Sequence, residues 1–407
     1  MIRSTKASLK FSNHNKLETL HAFIAEYKKV VSTFVEMLWN EKTVKPLIPK
    51  EFTSKIDSWI SKRAIQCAAK QASGIVRGTK QKQERRLFQI KKLQSENKNP
   101  SKLQKIYNNV KTTKPVVDHI EAELDSRFVK INMENKTTFD GWVTLTCLGN
   151  KIKINIPFKK HKHFNKLLLK GKIKDGIRIS NYMITFMFDI EVKPKTKGAT
   201  IGIDVGLKST LSSSNGQVIQ TDKHGHDYMS ICKKLSKKKK GSKGFRKVRS
   251  HRTNYINWTI NQLNLNDVKE VNREEIKNLR KGKRQSRLMS RWNYGELFDV
   301  LDKKLEDKGV RVNKLNPTYT SQRCSQCGWV RKGNRKLKLF MCDKCCYQQD
   351  SDMNASINLS LKLKPIGVQQ RLKHENRTGF YWNVDDQVLI VPECPTKTNI
   401  DNRKIFQ

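Results

Sequence analysis

In the first part of the chain, apolar residues recur at intervals of three and four. Leu20, Phe23, Ile24, Tyr27, Val30, Val31, Phe34, Val35 and Leu38 fall on one face of a helix predicted from Glu18 to Trp39. After the breaks at Pro46 and Pro49, a second helix is predicted through Ile56, Trp59, Ile60, Ile65 and Ala69. A third, strongly basic, passes through Arg85, Arg86, Leu87, Phe88 and Lys92. Residues 18–126 therefore read as a helical bundle whose apolar faces make a core and whose Lys/Arg faces remain for a polyanion. The period then changes. Residues 141–147, 151–157 and 177–192 are β-branched and aromatic, alternate in part and are cut by turns at Gly149-Asn150, Lys174–Gly176 and Asn181. They predict a small β-barrel or sheet domain over 127–195. Residues 2–11 alternate as a strand that would join it, which makes the helical segment an insertion. Between the strands, the two histidines of KKHKHF (159–164) read as a phosphate-facing basic loop, because no further ligand completes a zinc set.

A polar linker at 194–200 leads into TIGIDVGLKSTLSSSNGQVIQTD. Thr200–Ile203 predict a short buried strand with Asp204 at its end, and Thr210–Ile219 a hairpin around Asn215-Gly216. This is the opening order of a ribonuclease H-like fold. A strand over about Val268–Arg273 then ends at Glu274, an amphipathic helix spans 289–308, and VRVNKLN gives another strand. The fold class expected is multidomain α+β.

Charge narrows the choice of partner. The 407 residues hold 83 Lys+Arg against 37 Asp+Glu, a formal charge of +46. Solubility alone is served by a far smaller excess, and the sequence shows no basic amphipathic helix with a lipid-facing stripe, so nucleic acid is the polyanion expected. The run KKLSKKKKGSKGFRKVRSHR (233–252) has no apolar face before Phe245 and would contact phosphates through Lys237, Lys238, Lys239, Lys240, Lys243 and Arg246; Arg85 and Arg86 are their counterparts in the bundle. The N-terminus lacks the apolar core of a signal peptide and no apolar run approaches the roughly 20 residues that span a bilayer, so a cytoplasmic or nucleoid location is expected.

The chemistry concentrates between Asn316 and Leu361. Cys324 and Cys327, then Cys342 and Cys345 after 14 intervening residues, form two knuckles whose thiolates can close a tetrahedron around one structural Zn²⁺. Cys346 competes with Cys345 for the fourth place, and the two-residue knuckle spacing favours Cys345. Nine cysteines, five of them here and the other four scattered singly, fit metal use in a reducing compartment better than a disulfide framework. Phosphodiester hydrolysis needs hard-cation ligands, and two Mg²⁺ ions are commonly held by Asp and Glu. Asp204 ends the first strand, Glu274 the fourth, and Asp352 opens the last helix. In a ribonuclease H-like sheet those three places converge.

GIDVG, the EEIKN segment, TSQRCSQCG and DxDxNAxxN resemble the RuvC-type nuclease of TnpB proteins and of their descendants, the compact type V-F CRISPR effectors. The resemblance covers about 195–362, and the preceding regions agree with it in order and size. It implies a β-barrel wedge domain (1–17 and 127–195), an inserted helical recognition domain (18–126), a RuvC domain (196–318 and 350–362) and a zinc-ribbon, target-nucleic-acid-binding insert (319–349). Residues 363–407 are left as a tail without an assigned role. It implies a Mg²⁺-dependent, RNA-guided DNA endonuclease with guide RNA and target DNA as partners, and a homodimer is a further candidate assembly. By the resemblance, Asp204, Glu274 and Asp352 are the metal ligands, with Asp352 preferred to Asp350 because it precedes Asn354-Ala355.

One local conflict stands out. The strand entering Glu274 reads VKEVNREE, with Asn272 and Arg273 where a buried sheet calls for aliphatics. If Glu274 faces the metals, Arg273 points to the helix-covered face, where an unpaired charge is costly. Arg273 must pair or snorkel, or the strand must be short; Glu275 and Glu270 are fallback ligands, and weakened cleavage would follow from a distorted strand. The competing functions are a guide-dependent binding protein with little or no cleavage and a guide-free RuvC-like nuclease.

Overall fold

The computed structural model describes residues 1–133, 137–276, 286–363 and 379–382, and the backbone of 389–390. It divides into two compact units, Met1–Glu191 and Val192–Gln407.

In the first unit, β1 (Ile2–Ser8) precedes the helices α1 (His14–Trp39), α2 (Lys50–Ser54), α3 (Lys62–Ser95) and α4 (Ser101–Val110). β2 (Ala122–Leu124), β3 (Val129–Asn132), β4 (Gly141–Leu145) and β5 (Ile154–Phe158) follow, then α5 (Lys162–Leu168), β6 (Gly171–Ile179) and β7 (Met183–Ile190). The buried residues of α1 are the nine of the predicted stripe. Ile56, Trp59 and Ile60 of the second predicted helix are not helical, and its remainder is continuous with the third: α3 follows a Ser61 cap, whose hydroxyl accepts from Ala64 N, and runs on for 34 residues. Gly74 and Gly78 do not break it, since they sit in open space with no special backbone conformation. Arg85 is exposed and Arg86 half-buried on its basic second half.

The predicted barrel is instead two open sheets among the described residues, β1-β7-β6-β2 and β3-β4-β5, both antiparallel. The end strands of each order do not pair with each other, so neither sheet closes. The N-terminal strand does join the β region, with Ile2 opposite Asp189 and Ser8 opposite Met183. His161 is exposed, and its ring is also engaged locally. It caps α5, accepting from Phe164 N, and its Nε2 lies 3.0 Å from Thr5 Oγ1 and 3.1 Å from Lys6 O.

The second unit is built on β8 (Ala199–Asp204), β9 (Leu211–Ser213), β10 (Val218–Ile219), β11 (Val268–Glu274) and β12 (Arg311–Leu315), with α6 (Tyr228–Lys237), α7 (Lys243–Gln262) and α8 (Tyr294–Asp307) between them. The sheet order is β10-β9-β8-β11-β12; β8, β11 and β12 run parallel and β9 and β10 form the expected hairpin. Ile201, Ile203 and Val271 bury one face against Tyr228, Tyr255, Ile260, Leu297 and Leu301 of α6, α7 and α8. The run 233–252 is largely helical. Asp227 and Ser242 cap two helices, and Ile231, Cys232 and Leu235 give α6 an apolar face. Lys237–Lys240, Lys243 and Arg246 are all exposed, at the end of α6, in the connection and in the first turn of α7.

Beyond β12 come β13 (Trp329–Val330), β14 (Arg335–Lys336), β15 (Leu339–Met341), β16 (Gln348–Asp350) and α9 (Ser351–Ser360). α9 covers the second face of the main sheet. It lies so close to β8 that a Cβ on Gly202 would stand 1.9 Å from the Ser356 carbonyl oxygen. From the tail, β17 (Phe380–Trp382) pairs with β13, and β18 (Leu389–Ile390) with β17, as a small sheet. Trp382 N donates to Gly328 O, so this part of the tail completes the first cysteine knuckle; most of the rest of 363–407 lies outside the described residues.

Candidate active site

β8 and β11 are adjacent and parallel, and Ile203 stands opposite Arg273, so Asp204 and Glu274 leave the same end of the sheet side by side. The N-terminus of α9 arrives at that end. Asp350 is consumed as its cap, with Oδ1 accepting from Asp352 N at 2.9 Å and Met353 N at 3.1 Å. Asp352, in the first helical turn, turns its carboxylate inward and is 6% exposed; Asp204 is 8% exposed. Burial pushes Asp204 well above the usual carboxylate range, and the negative charges of Glu274 and Asp352 push it further. Glu274 is raised as well, chiefly by burial, against the pull of Thr320 and Arg335. Three carboxylates thus crowd a site with little water, which costs free energy unless cations enter.

Basic side chains from the β14–β15 hairpin already reach in. Arg335 Nη2 lies 2.9 Å from Asp352 Oδ1 and Lys338 Nζ 2.5 Å from Asp352 Oδ2, and Lys338 also donates to Ser209 Oγ. Thr320 Oγ1 donates to Glu274 Oε1 at 2.9 Å. Hard oxygen donors such as these carboxylates suit Mg²⁺-class ions. Of the fallback acids, Glu270 lies four residues before Glu274 on β11, where it accepts from Asn313 of β12, and Glu275 follows the strand with its backbone N donating to Leu315 O.

The polar strand resolves into two buried networks. Asn272 and Glu274 face α9; Asn272 Nδ2 donates to Leu359 O (3.0 Å) and Ser360 O (3.2 Å), the last carbonyls of that helix, while its Oδ1 accepts from Asn313. Arg273 faces the other way, as expected, and is paired. Its Nε and Nη2 donate to the two oxygens of Asp302 on α8 at 2.9 and 2.7 Å, and its guanidinium lies 4.2 Å from the Phe298 ring centre.

Behind the carboxylates sit the cysteines. The sulfurs of Cys324, Cys327, Cys342 and Cys345 lie within 4.8 Å of one another, with Cys324–Cys345 at 3.7 Å and Cys327–Cys342 at 3.6 Å. A tetrahedron with Zn–S bonds of about 2.3 Å has edges of about 3.8 Å, so the donor set fits zinc. Cys346 follows with a positive φ of 57° and lies outside the set. Asn354 and Asn358, one turn apart on α9, clasp the first knuckle. Asn354 donates to Arg323 O and accepts from Ser325 N; Asn358 donates to Thr320 O and Arg323 O and accepts from buried Arg323. The same helix therefore carries Asp352 and anchors the knuckle that carries Thr320. Sequence reasoning missed Thr320, Arg335, Lys338 and Asp302. The RKLK stretch between the two cysteine pairs was the one local signal for the two cations.

Comparison with known proteins follows this geometry. The family model described as Cas12f1-like, TNB domain matches residues 294–359. The chain is 33% identical over 118 residues to the CRISPR-associated endodeoxyribonuclease Cas12f1 of Sulfoacidibacillus thermotolerans, covering 29% of this chain and 27% of that protein. It is 28% identical over 254 residues to the TnpB-like protein MJ0751 of Methanocaldococcus jannaschii, covering 55% of this chain and 91% of that one. Together these likenesses support a relation to the TnpB and type V-F effector family. It spans less than half the length of the Cas12f1 relatives it matches. The solved structure of the mini-RNA-guided endonuclease CRISPR-Cas_phi3 has a similar fold, with a TM-score of 0.50 at 10% identity over 88% of this chain and 92% of that one. A multidomain α+β fold resembling that structure is thus present here. The homodimer finds no support in these likenesses. Among the described residues no helix is long and apolar enough to cross a membrane.

Proposed function

We propose that this protein is an RNA-guided, Mg²⁺-dependent DNA endonuclease with one RuvC-type site made by Asp204, Glu274 and Asp352. The observation that carries the reading is the meeting of these three acids, from two adjacent parallel strands and a helix start, in a place where burial, and then the charges of Glu274 and Asp352, raise the Asp204 carboxyl. Mg²⁺-class ions held there would acidify an attacking water and offset charge on the leaving oxygen of a phosphodiester. The chain's own residues do the rest. Thr320 orients Glu274, the α9 N-terminus fixes Asp352, and Arg335 and Lys338 keep positive charge beside it, where the backbone of a nucleic acid must be accommodated.

In this reading the sheet of Val192–Gln407 is the RuvC domain (196–318 and 350–362), and residues 319–349 with their zinc form the target-nucleic-acid-binding insert. The first unit supplies the wedge (1–17 and 127–195) and recognition (18–126) parts, and the exposed cations of α3 and of the α6–α7 segment, Arg85 and Lys237–Arg246 among them, take phosphates. The pairing of Arg273 supports an intact site, because it removes the strain that the polar strand would otherwise impose on Glu274.

The test begins with sequencing RNA that copurifies with the protein; absence of any discrete structured RNA rejects the guided reading in favour of a guide-free nuclease. The reconstituted complex should then cleave a matching plasmid in Mg²⁺, and Asp204→Ala and Asp352→Ala should each lower the rate by at least about 100-fold while leaving DNA binding intact. A wild-type complex that binds but never cuts leaves only a binding function.

A further inference from the structure

Apart from the cysteines, the described residues hold one further set whose ligand atoms all lie within 4.8 Å of one another: Asp222, His226 and His251. None of the three belongs to the carboxylate site or to the cysteine site. Asp222 and His226 sit on the turn between β10 and α6, and His251 is in the middle of α7. The turn is tightly made. Asp222 N donates to His226 O, Gly225 N to Asp222 O, and Thr221 bridges Asp227, with Gly225 at a φ of 75°. Asp222 Oδ1 accepts from His224 N and His226 N, both at 2.9 Å, which locks the carboxylate and leaves Oδ2 aimed at His226 Nδ1, 3.2 Å away. The His226 ring meets that of His251 edge to face, 4.7 Å between centres. α7 is itself held against α6 by the stacked rings of Tyr228 and Tyr255.

Two imidazoles and a carboxylate suit a borderline divalent ion better than Mg²⁺. Around Zn²⁺, bonds of about 2.0–2.1 Å put neighbouring tetrahedral ligand atoms about 3.3 Å apart, close to the Asp222–His226 separation. The geometry points to a second zinc-class site formed by Asp222, His226 and His251, with a fourth position for water. It would pin the β10–α6 turn to α7 at the root of the exposed basic segment 237–246. Lys234 is the cation whose field reaches His251, so it opposes the ion and sets a ceiling on affinity. This inference stands apart from the nuclease reading and survives if that reading fails.

The experiment is a metal count on the full-length protein dialysed against Zn²⁺ in excess Mg²⁺. Wild type should hold two zinc ions per chain, and the His226→Ala/His251→Ala double variant one, with the cysteine site still loaded. Asp222→Asn is the folding control. An amide keeps the Oδ1 acceptor that builds the turn but removes the charge, so it should lose the second zinc, while Lys234→Ala should bind it at lower free Zn²⁺. One zinc per chain in wild type, or two in both Asp222→Asn and the double variant, overturns the proposal and leaves a hydrogen-bonded His–Asp turn.

Discussion

Asp302→Ala tests how a buried arginine is carried on the strand that presents Glu274. Arg273 is 4% exposed and makes two charge-assisted hydrogen bonds to Asp302, whose own side chain is 31% exposed and also lies 3.7 Å from Lys314 Nζ. Removing one partner of a fully buried pair costs about 3–5 kcal/mol. Here the loss is smaller, because water reaches Asp302 and Arg273 keeps its bond to Glu274 O and its contact with Phe298. A cost of about 2–3 kcal/mol is expected. For a unit of this size that is a fall of about 5–10 °C in the melting temperature of the second unit. Thermal melts followed by tryptophan fluorescence measure it. The double variant Arg273→Leu/Asp302→Leu should recover most of the loss, since it leaves no buried charge unpaired. The freed guanidinium in Asp302→Ala should also pull on the Glu274 backbone and slow cleavage. A shift below about 2 °C, or a double variant worse than the single one, would refute the account of the pair.

Three further outcomes follow from the site. Asp204 has a raised folded-state pKa, so its stability contribution is present below the ordinary carboxylate range and is lost as pH rises through the folded value. In Mg²⁺-free buffer, Asp204→Asn should therefore be more stable than wild type in urea at pH ~7, with the advantage gone by pH ~4, and added Mg²⁺ should stabilise only wild type; a less stable variant at neutral pH contradicts the crowding of charge. Gly202→Ala places a Cβ 1.9 Å from Ser356 O and 2.5 Å from Ser360 N, both backbone, so α9 must move off β8; cleavage should fall sharply while the zinc content is kept, and wild-type rates would show that Asp352 does not depend on that contact. Stripping zinc with a strong chelator, or Cys342→Ser, should shift emission from Trp329 to the red, because this buried ring packs in the cysteine cluster and donates to Asp343 Oδ1 at 2.8 Å; unchanged emission means that the ribbon holds without metal.

Some parts of this chain were legible because their information is local. The α1 stripe, the β9–β10 hairpin at Asn215-Gly216 and the two cysteine knuckles depend on spacings of a few residues, and each is present where the pattern put it. The positions of Asp204, Glu274 and Asp352 at element ends could be read too, although the strand before Glu274 breaks the apolar pattern. Other parts were not legible locally. α3 was divided in two where a weak stretch of pattern interrupts one continuous helix, and α6 was hidden because a lysine run masks its short apolar face.

What the sequence determined by itself was most of the elements, the excess of positive charge, +46, and the cysteines and carboxylates available as metal donors. What only the tertiary structure decided was pairing between distant residues. Asp302 makes Arg273 tolerable from 29 positions away, Asn354 and Asn358 clasp a knuckle some 30 positions upstream, and Trp329 and Val330 take a strand from the tail some 50 residues on. His251 meets Asp222 and His226 only because α7 folds back on the turn before α6. The physical reason is the same in each case. Periodicity reports which face of an element avoids water, whereas a buried charge or ligand is satisfied by whatever the fold brings within about 3 Å, and that partner leaves no mark in its own neighbourhood.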